Sequence, residues 1–434
     1  MIYKISPPHE RLNAFFGEFF REMRKAPPQA YENFLMRAEE EFRRTGYREK
    51  ISSGVENILI IRLDAIGDMI LTSGFLREVR ANFPLACITL IVSPIVAPMV
   101  EFCPYINEVL IFDSKKLNRN FPAMLETLAV FCRDNLWKKN FSIAFSIQWG
   151  FDSLPALLIC WLSGARERIG FGVYPYESWL GKPKPEESAR DNFFLTRNVI
   201  TPLNIISEIE KCFYLLAVSG LKITKTHLEL FYSAEDFRYA RDLMEDFPKS
   251  TKKVALGIGA SAPTKKYPVD KYLIALKQLV KKDLVFVLVA GKGEINDAKF
   301  IEENLPYGKV LNLVGKTTIR ETEAIISQTD FYLGNDTGTL HMAAAAHVPV
   351  IGIYRGAADK ENVLPAVFNE YRRFPPYGTK AIALRPAHPL GDCATSPPVY
   401  GFCRHPEIPH CITQITPQEI IDAFEKMEKS FRQV

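Results

Sequence analysis

Short, nearly continuous apolar runs alternate with amphipathic helical segments along most of the chain, and this alternation limits the fold more than any other feature. Such runs predict strands that are buried on both faces, as in a parallel sheet covered by helices on both sides. The pattern comes in two blocks. The first block predicts strands at 58–63, 88–92, 109–112 and 143–147, and the second at 254–258, 285–290, 310–313, 331–333 and 350–353.

Helical segments separate many of these strands, with apolar residues spaced so that they share one helix face. We expect helices near 70–81 and 122–135 in the first block, near 271–281, 298–303, 321–328 and 340–346 in the second, and a last helix at 417–431. The predicted fold class is therefore α/β, with two doubly wound, Rossmann-like domains that face a cleft.

The length of the chain agrees with two domains and an extension. It has 434 residues, and a single core rarely grows past about 250 to 300 residues. We expect an N-terminal helical extension at 1–50, a first Rossmann-like domain at 51–235 and a second at 236–434. The last helix follows a stretch rich in Pro, Gly and Cys, so it is free to pack back on the first domain. Ligands of open α/β sheets bind at the carboxyl ends of the strands, which places the expected site in the cleft.

The N-terminal extension has the pattern of a helical hairpin. Leu12, Phe16 and Phe19 recur at helical spacing, and a proline pair at 27–28 interrupts the pattern. The other face mixes both signs of charge, which favours packing on a domain or on a partner subunit over docking to a membrane. An oligomer formed through this extension and peripheral contact with a membrane both remain open.

Composition excludes several classes of protein. With 47% hydrophobic and 24% charged residues, the chain is globular rather than disordered. A net charge of +4 lacks the concentrated basic footprint of a nucleic-acid-binding protein. The longest apolar run, near 154–162, is shorter than the roughly 20 residues that span a bilayer. No secretory signal is visible, so we expect a cytoplasmic protein with mostly reduced cysteines, among them Cys87 and Cys160 in the core.

The strongest motif of the second block lies at 334–341, between a predicted strand and a helix. It reads Gly-Asn-Asp-Thr-Gly-Thr-Leu-His. Small residues let a ligand approach the backbone, and the helix dipole favours negative charge there, so a diphosphate fits this position. Asp336 and Thr337 can equally serve as helix caps without any ligand.

Two further loops of the second block carry charged residues at strand ends. The loop at 257–268 contains Lys265 and Lys266, and lysine is an ordinary partner of phosphate. The loop at 291–294 ends on Glu294, whose carboxylate can bind the hydroxyl pair of a ribose. The alternatives are a solvated loop for the lysines and a helix-start acid for Glu294.

The first block offers a carboxylate at the end of its first strand. Strand 58–63 runs into Asp64-Ala65-Ile66-Gly67-Asp68, which lacks the three glycines of a dinucleotide fingerprint. Asp68 is the candidate general base towards an incoming hydroxyl, Asp64 is a rival, and helix capping is the structural alternative for Asp68.

These residues resemble a known family. Segments 58–68, 265–268 and 335–338, together with His341, are similar to the motifs of the family 9 glycosyltransferases, which include the lipopolysaccharide heptosyltransferases. The resemblance covers about 57–427. It implies the GT-B fold, with an acceptor domain followed by a donor domain, and inverting transfer without a required metal. It also implies a nucleotide-diphosphate sugar, commonly ADP-heptose, as donor.

The resemblance also implies roles for single residues. Asp68 is similar to the catalytic base of the family, Lys265 to its phosphate-binding lysine and Glu294 to its ribose-binding acid. The diphosphate-binding segment of the family corresponds to Asp336, Thr337, Gly338 and His341. The implied acceptor is a glycan, a glycolipid of the lipopolysaccharide type or a protein, which allows contact with the inner face of the membrane.

Other interpretations stay open beside this one. Another nucleotide sugar, a nucleotide-sugar epimerase of the same architecture, or a non-catalytic GT-B-like scaffold in a glycosylation complex would suit the same pattern. Cys393, Cys403 and Cys411 lie near several histidines and are candidates for a structural iron or zinc, with free thiols as the alternative.

Overall fold

A computed structural model describes residues 57–118, 120–149, 153–171, 194–202, 204–358, 370–391, 405 and 407–432, and five isolated positions near the N-terminus. The predicted hairpin at 1–50 therefore lies almost wholly outside the described residues, as do Cys393 and Cys403.

The first sheet has six parallel strands in the order β3-β2-β1-β4-β5-β6. Ile58 of the central strand is level with Ile88 of one neighbour and with Ile143 of the other. The strands are β1 (Asn57–Arg62), β2 (Cys87–Val92), β3 (Glu108–Ile111), β4 (Ile143–Ser146), β5 (Glu167–Gly170) and β6 (Arg197–Asn198).

Helices cover both faces of this sheet because its central strands are apolar on both sides. Among the described residues of this part of the chain, the helices are α1 (Ile66–Asn82), α2 (Phe121–Asn135), α3 (Leu154–Leu162) and α4 (Glu208–Val218). The apolar run noted in the sequence is α3, in which every residue from Ala156 to Leu162 is buried. The α4 helix begins with a capping box between Ser207 and Glu210.

The second sheet also has six parallel strands, in the order β12-β11-β10-β7-β8-β9. They are β7 (Lys252–Gly257), β8 (Leu284–Val289), β9 (Val310–Asn312), β10 (Phe331–Asn335), β11 (Val350–Ile353) and β12 (Ala381–Leu384). The helices are α5 (Ala234–Met244), α6 (Val269–Leu279), α7 (Ile295–Glu303), α8 (Ile319–Ser327), α9 (Gly338–Ala345), α10 (Glu370–Arg373) and α11 (Pro417–Arg432). The last helix packs on α6, β11 and β12 of this second unit.

The α/β fold with two doubly wound sheets is confirmed, and nine of the observed strands match the predicted ones to within about two residues. Strands β5, β6 and β12 are additional. They are short, and β6 spans only two residues, too few to give a hydrophobic pattern. The expectation for Cys87 is wrong: it is exposed, because it is the first residue of β2 at the solvent end of the strand. Among the described helices, none is long and apolar enough to cross a membrane.

An apolar contact joins the two sheets. One cluster of buried residues includes Ile58 and Phe75 from the first unit and Leu340 and Ala343 from the second. The helices α1 and α9, which both start at carboxyl ends of central strands, pack on each other in this contact. The starts of these two helices therefore meet in the cleft.

Candidate active site

The candidate base lies where β1 passes into α1. Asp68 is the third residue of α1, and its Oδ2 accepts a hydrogen bond from the backbone N–H of Ala65 at 3.3 Å. The hydroxyl of Thr72 donates to the backbone carbonyl of Asp68 at 2.8 Å. Asp68 thus caps its helix and remains partly exposed, so the capping role and a catalytic role are compatible.

A buried arginine fixes the geometry of this turn. Arg62, the last residue of β1, is 2% exposed. Its Nη2 lies 3.1 Å from Oδ1 of Asp68, and its Nε lies 2.9 Å from Oδ1 of Asp64. Burial raises the pKa of Asp64 above its usual range, and the charge of Asp68 adds to this, whereas Arg62 opposes it. No sequence motif marks Arg62, which is a single charged residue at the end of an apolar strand.

On the donor side, Lys265 lies opposite the start of α9. It ends a short 3-10 turn, Pro263–Lys265, that follows β7. Its Nζ lies 2.9 Å from Oδ2 of Asp336, which is 4% exposed. The structure thus brings together two residues that are far apart in sequence and that the sequence analysis assigned to one diphosphate site.

The buried amide of Asn335 holds this arrangement in place. Its Oδ1 accepts the backbone N–H of Tyr267 at 3.2 Å and the hydroxyl of Tyr272 at 3.1 Å. Its Nδ2 donates to the carbonyls of Ile258 and Gly259, both at 3.0 Å. A buried amide that satisfies all these groups locks the loop after β7 against β10. Asn335 therefore positions the loop that carries Lys265.

The start of α9 lacks a side-chain cap. Thr337 is the N-cap residue, but its side chain makes no cap bond to the first turn. Its hydroxyl instead lies 3.0 Å from that of Thr339, which is 2.8 Å from the hydroxyl of Tyr332. A helix start of this kind, next to a lysine, favours an anion.

Glu294 lies where the ends of β7 and β8 meet. Its Oε2 is 3.6 Å from the position that a Cβ on Gly259 would take, and 3.7 Å from the corresponding position on Gly291. Lys266 lies 3.7 Å from Glu294 and 2.7 Å from Asp297. Two carboxylates therefore hold the ammonium group of Lys266 at this edge of the second sheet.

His341 lies between the two halves of the site. Its ring packs on Gly67, where a Cβ would come within 2.9 Å of Cδ2 of His341. Burial lowers the pKa of His341, and the charges of Asp336, Asp68 and Lys265 all act on it. Within the described residues, Nδ1 of His341 is buried and has no hydrogen-bond partner. A neutral imidazole therefore stands next to both the candidate base and the candidate phosphate residues.

A polar cluster that the sequence did not reveal joins the two sheets beside this site. Glu208, at the start of α4, accepts from Nε1 of Trp149 at 2.6 Å and from Nη2 of Arg373 at 2.9 Å. Nζ of Lys211 lies 3.1 Å from the centre of the Trp149 ring, and burial lowers the pKa of Lys211 to about 7. No local pattern signals Arg373, because its partners belong to the other sheet.

The metal candidates are only partly described. Sγ of Cys411 lies 3.4 Å from Nδ1 of His410, whose ring centre is 4.0 Å from that of His405. Among the described residues, no group of three or more His, Cys, Asp or Glu side chains is arranged to hold a metal ion. Since Cys393 and Cys403 lie outside those residues, the iron or zinc site stays a prediction.

Comparisons with known proteins agree with this architecture. Residues 186–383 match the family model of glycosyltransferase family 9 (heptosyltransferase). The lipopolysaccharide core heptosyltransferase OpsX of Haemophilus influenzae is 23% identical over 308 residues, which are 69% of this chain and 79% of that protein.

Two solved structures share the fold. The family 9 glycosyl transferase of Veillonella parvula has a TM-score of 0.66 at 16% identity and covers 88% of this chain and 100% of its own. The ADP-heptose lps heptosyltransferase II of Escherichia coli has a TM-score of 0.60 at 17% identity and covers 87% of this chain and 99% of its own. The family match over residues 186–383, the relatives and the two facing sheets lead to one conclusion: the chain is similar to the family 9 glycosyltransferases and has the GT-B fold.

Proposed function

We propose that this enzyme transfers a heptose from ADP-heptose, with inversion, to a sugar hydroxyl of a glycan acceptor of the lipopolysaccharide type. The observation that carries the proposal is the position of Asp68. It faces the cleft at the start of α1, next to α9 and to the Lys265–Asp336 pair. One cleft thus holds a carboxylate for the acceptor and a cationic, dipolar site for the donor.

In the proposed mechanism, Asp68 takes the proton of the acceptor hydroxyl while that oxygen attacks the anomeric carbon. The bond between this carbon and the diphosphate breaks. The leaving diphosphate is stabilised by Lys265 and by the start of α9 at Thr337 and Gly338, and Glu294 binds the ribose. Lys265 and the start of α9 supply this positive charge without a metal. The region at 51–235 then serves as acceptor domain and the region at 236–434 as donor domain.

The donor is supported by the relatives, whose names include lipopolysaccharide and ADP-heptose. A protein acceptor, another nucleotide sugar, an epimerase and a scaffold are the competing possibilities. A lipid-linked acceptor would bring the enzyme to the inner face of the membrane as a peripheral protein. Thermal shift with a panel of nucleotide sugars identifies the donor, because a ligand that binds the native state raises Tm.

The decisive variant is Asp68→Asn. We expect it to lose most turnover, measured as ADP release from ADP-heptose with heptose-deficient lipopolysaccharide as acceptor. The affinity for ADP, measured by calorimetry, should stay near that of the wild type, since the amide keeps the shape but cannot take the proton. Turnover like that of the wild type would remove Asp68 from the mechanism. Formation of an epimerised sugar without acceptor would favour the epimerase.

A further inference from the structure

We propose that Asp64 and Arg62 are positioning residues for the base: Asp64 holds the guanidinium of Arg62, and Arg62 holds the carboxylate of Asp68. The inference rests on the proposed function, which makes Asp68 the base. It assigns Asp64, the rival candidate for the base, to the role of orienting the guanidinium of Arg62.

Each nitrogen of the Arg62 guanidinium lies close to one oxygen, two of them in hydrogen bonds and Nε in an ion pair. Nε faces Oδ1 of Asp64 at 2.9 Å, Nη2 faces Oδ1 of Asp68 at 3.1 Å, and Nη1 donates to the carbonyl of Ile147 at 3.3 Å. The last contact ties the group to the end of β4. A planar guanidinium with three fixed partners cannot rotate without losing one of them. Arg62 therefore fixes the direction of the Asp68 carboxylate relative to the first sheet.

The two oxygens of Asp68 are held unequally. Oδ1 receives the charge-assisted bond from Arg62, whereas among the described residues Oδ2 receives only the N–H of Ala65 at 3.3 Å. An oxygen with a single, long hydrogen bond keeps a lone pair for another proton. Oδ2 is thus the oxygen that accepts the proton of the acceptor hydroxyl.

Asp64 is poorly suited to act as the base itself. Its Oδ1 is directed at Arg62, and its backbone carbonyl accepts from the hydroxyl of Ser93 at 3.0 Å. Asp68 instead lies in the first turn of α1, where the helix dipole favours a carboxylate.

Charges on the other elements also act on this turn. Glu208 and Cys212 of α4 face Arg62, and Glu208 also acts on Asp64. From the second sheet, His341 is next to Asp68, with Asp336 and Lys265 behind it. These groups are the same in all the variants below. Differences in activity between the variants therefore report the effects of Arg62 and Asp64 alone.

The test compares two substitutions of Asp64. Asp64→Asn keeps an oxygen next to Nε of Arg62, whereas Asp64→Ala removes it. We expect Asp64→Asn to keep most of the wild-type kcat and Asp64→Ala to lose roughly 10- to 100-fold, the scale expected for a misplaced catalytic group. The KM for ADP-heptose should change little in both. If Asp64→Asn were as inactive as Asp64→Ala, Asp64 would act through its own ionisation and the inference would be wrong.

A second comparison concerns Arg62. Arg62→Met removes the contact to Oδ1 of Asp68, so kcat should fall roughly 10- to 100-fold while the KM for ADP-heptose changes little. Carbon-13 NMR of protein labelled at the aspartate carboxyls follows the loss of this contact without substrate, as a change in the chemical shift of the Asp68 signal at fixed pH. The Asp68 signal is assigned by its absence in Asp68→Asn. An unchanged Asp68 signal and an unchanged kcat in Arg62→Met would overturn the inference, and if Arg62→Met does not fold, the Asp64 pair decides alone.

Failure of the proposed function gives a different result. If the wild type releases no ADP from ADP-heptose with any acceptor, the function is wrong, while the NMR signal of Asp68 at fixed pH still reports whether Arg62 holds it. If Asp68→Asn stays active and Asp64→Asn is inactive, the enzyme is a transferase whose base is Asp64. Only retained activity in Asp64→Asn, with loss in both Asp64→Ala and Asp68→Asn, supports the positioning roles.

Discussion

Lys265 forms an ion pair with Asp336, so removing its charge affects two residues of the proposed donor site. Lys265→Ala removes one cation from the proposed diphosphate site and leaves Asp336, which is 4% exposed, without this partner. A hydrogen bond to a charged group contributes about 1.5 to 3 kcal/mol. We therefore expect the affinity for ADP, measured by calorimetry, to fall roughly 10- to 100-fold.

A control separates lost binding from a damaged site. The double variant Lys265→Met with Asp336→Asn has no unpaired carboxylate, so it should fold normally and still bind ADP weakly. Lys266→Ala is a poor control because Lys266 is held by Asp297 and Glu294. Lys277→Ala, on the exposed side of α6, is better. Wild-type affinity in Lys265→Ala would place the phosphates elsewhere.

At the scale of elements, α8 buries a carboxyl against the segment that connects the two sheets. Glu323 is 1% exposed and accepts the backbone N–H of Phe231. Burial raises its pKa from 4.5 to about 8. The folded protein therefore holds a proton that the unfolded chain releases, and stability falls as the pH rises from 4.5 to about 8.

Glu323→Gln removes this titration while keeping an oxygen for the N–H of Phe231. We expect the variant to be close to the wild type near pH 5 and more stable by about one to a few kcal/mol near pH 9. Thermal melts across this range measure the difference. Glu303→Gln, an exposed carboxylate on α7, is the control that should show no such trend. A difference independent of pH would mean that Glu323 is ionised in the folded protein.

At the scale of the whole molecule, two glycines let the domains meet. A Cβ on Gly338 would lie 2.5 Å from Cγ2 of Ile66, and one on Gly67 would lie 2.9 Å from His341. The sequence analysis assigned Gly338 to the diphosphate alone, whereas the structure also places it at the contact of α9 with α1. Any substitution at Gly338 therefore acts on the domain contact as well as on the donor.

Gly338→Ala should push α9 away from α1. Overpacking of this kind typically costs about 1 to 3 kcal/mol, and it should widen the cleft and lower kcat. Melting temperature, small-angle X-ray scattering and turnover measure these effects. Gly293→Ala, where a Cβ would meet nothing within 4 Å, is the matched control. Unchanged stability and turnover in Gly338→Ala would show that the α1–α9 contact is looser than described.

The order of strands and helices follows from local properties of the sequence. Apolar runs such as 58–63 and 285–290 predict buried strands because each residue there must avoid water on either face of a sheet. The turn at 64–68 and the motif at 334–341 mark strand ends, and parallel strands bring such ends to one edge. The fold class and the family resemblance could therefore be reached without tertiary structure.

Only the tertiary structure decided which side chains meet. In the sequence, Arg62 is a polar residue near the end of an apolar strand. In the structure, one of its partners is the carbonyl of Ile147, 85 residues away. Glu208 and Arg373 are 165 positions apart, and they are hydrogen-bonded because α4 and α10 come together across the cleft. Periodicity and turn chemistry report a residue's neighbours along the chain and its tendency to be buried. Pairing between distant charges depends on how two independently folded sheets are oriented, and no local pattern encodes that orientation.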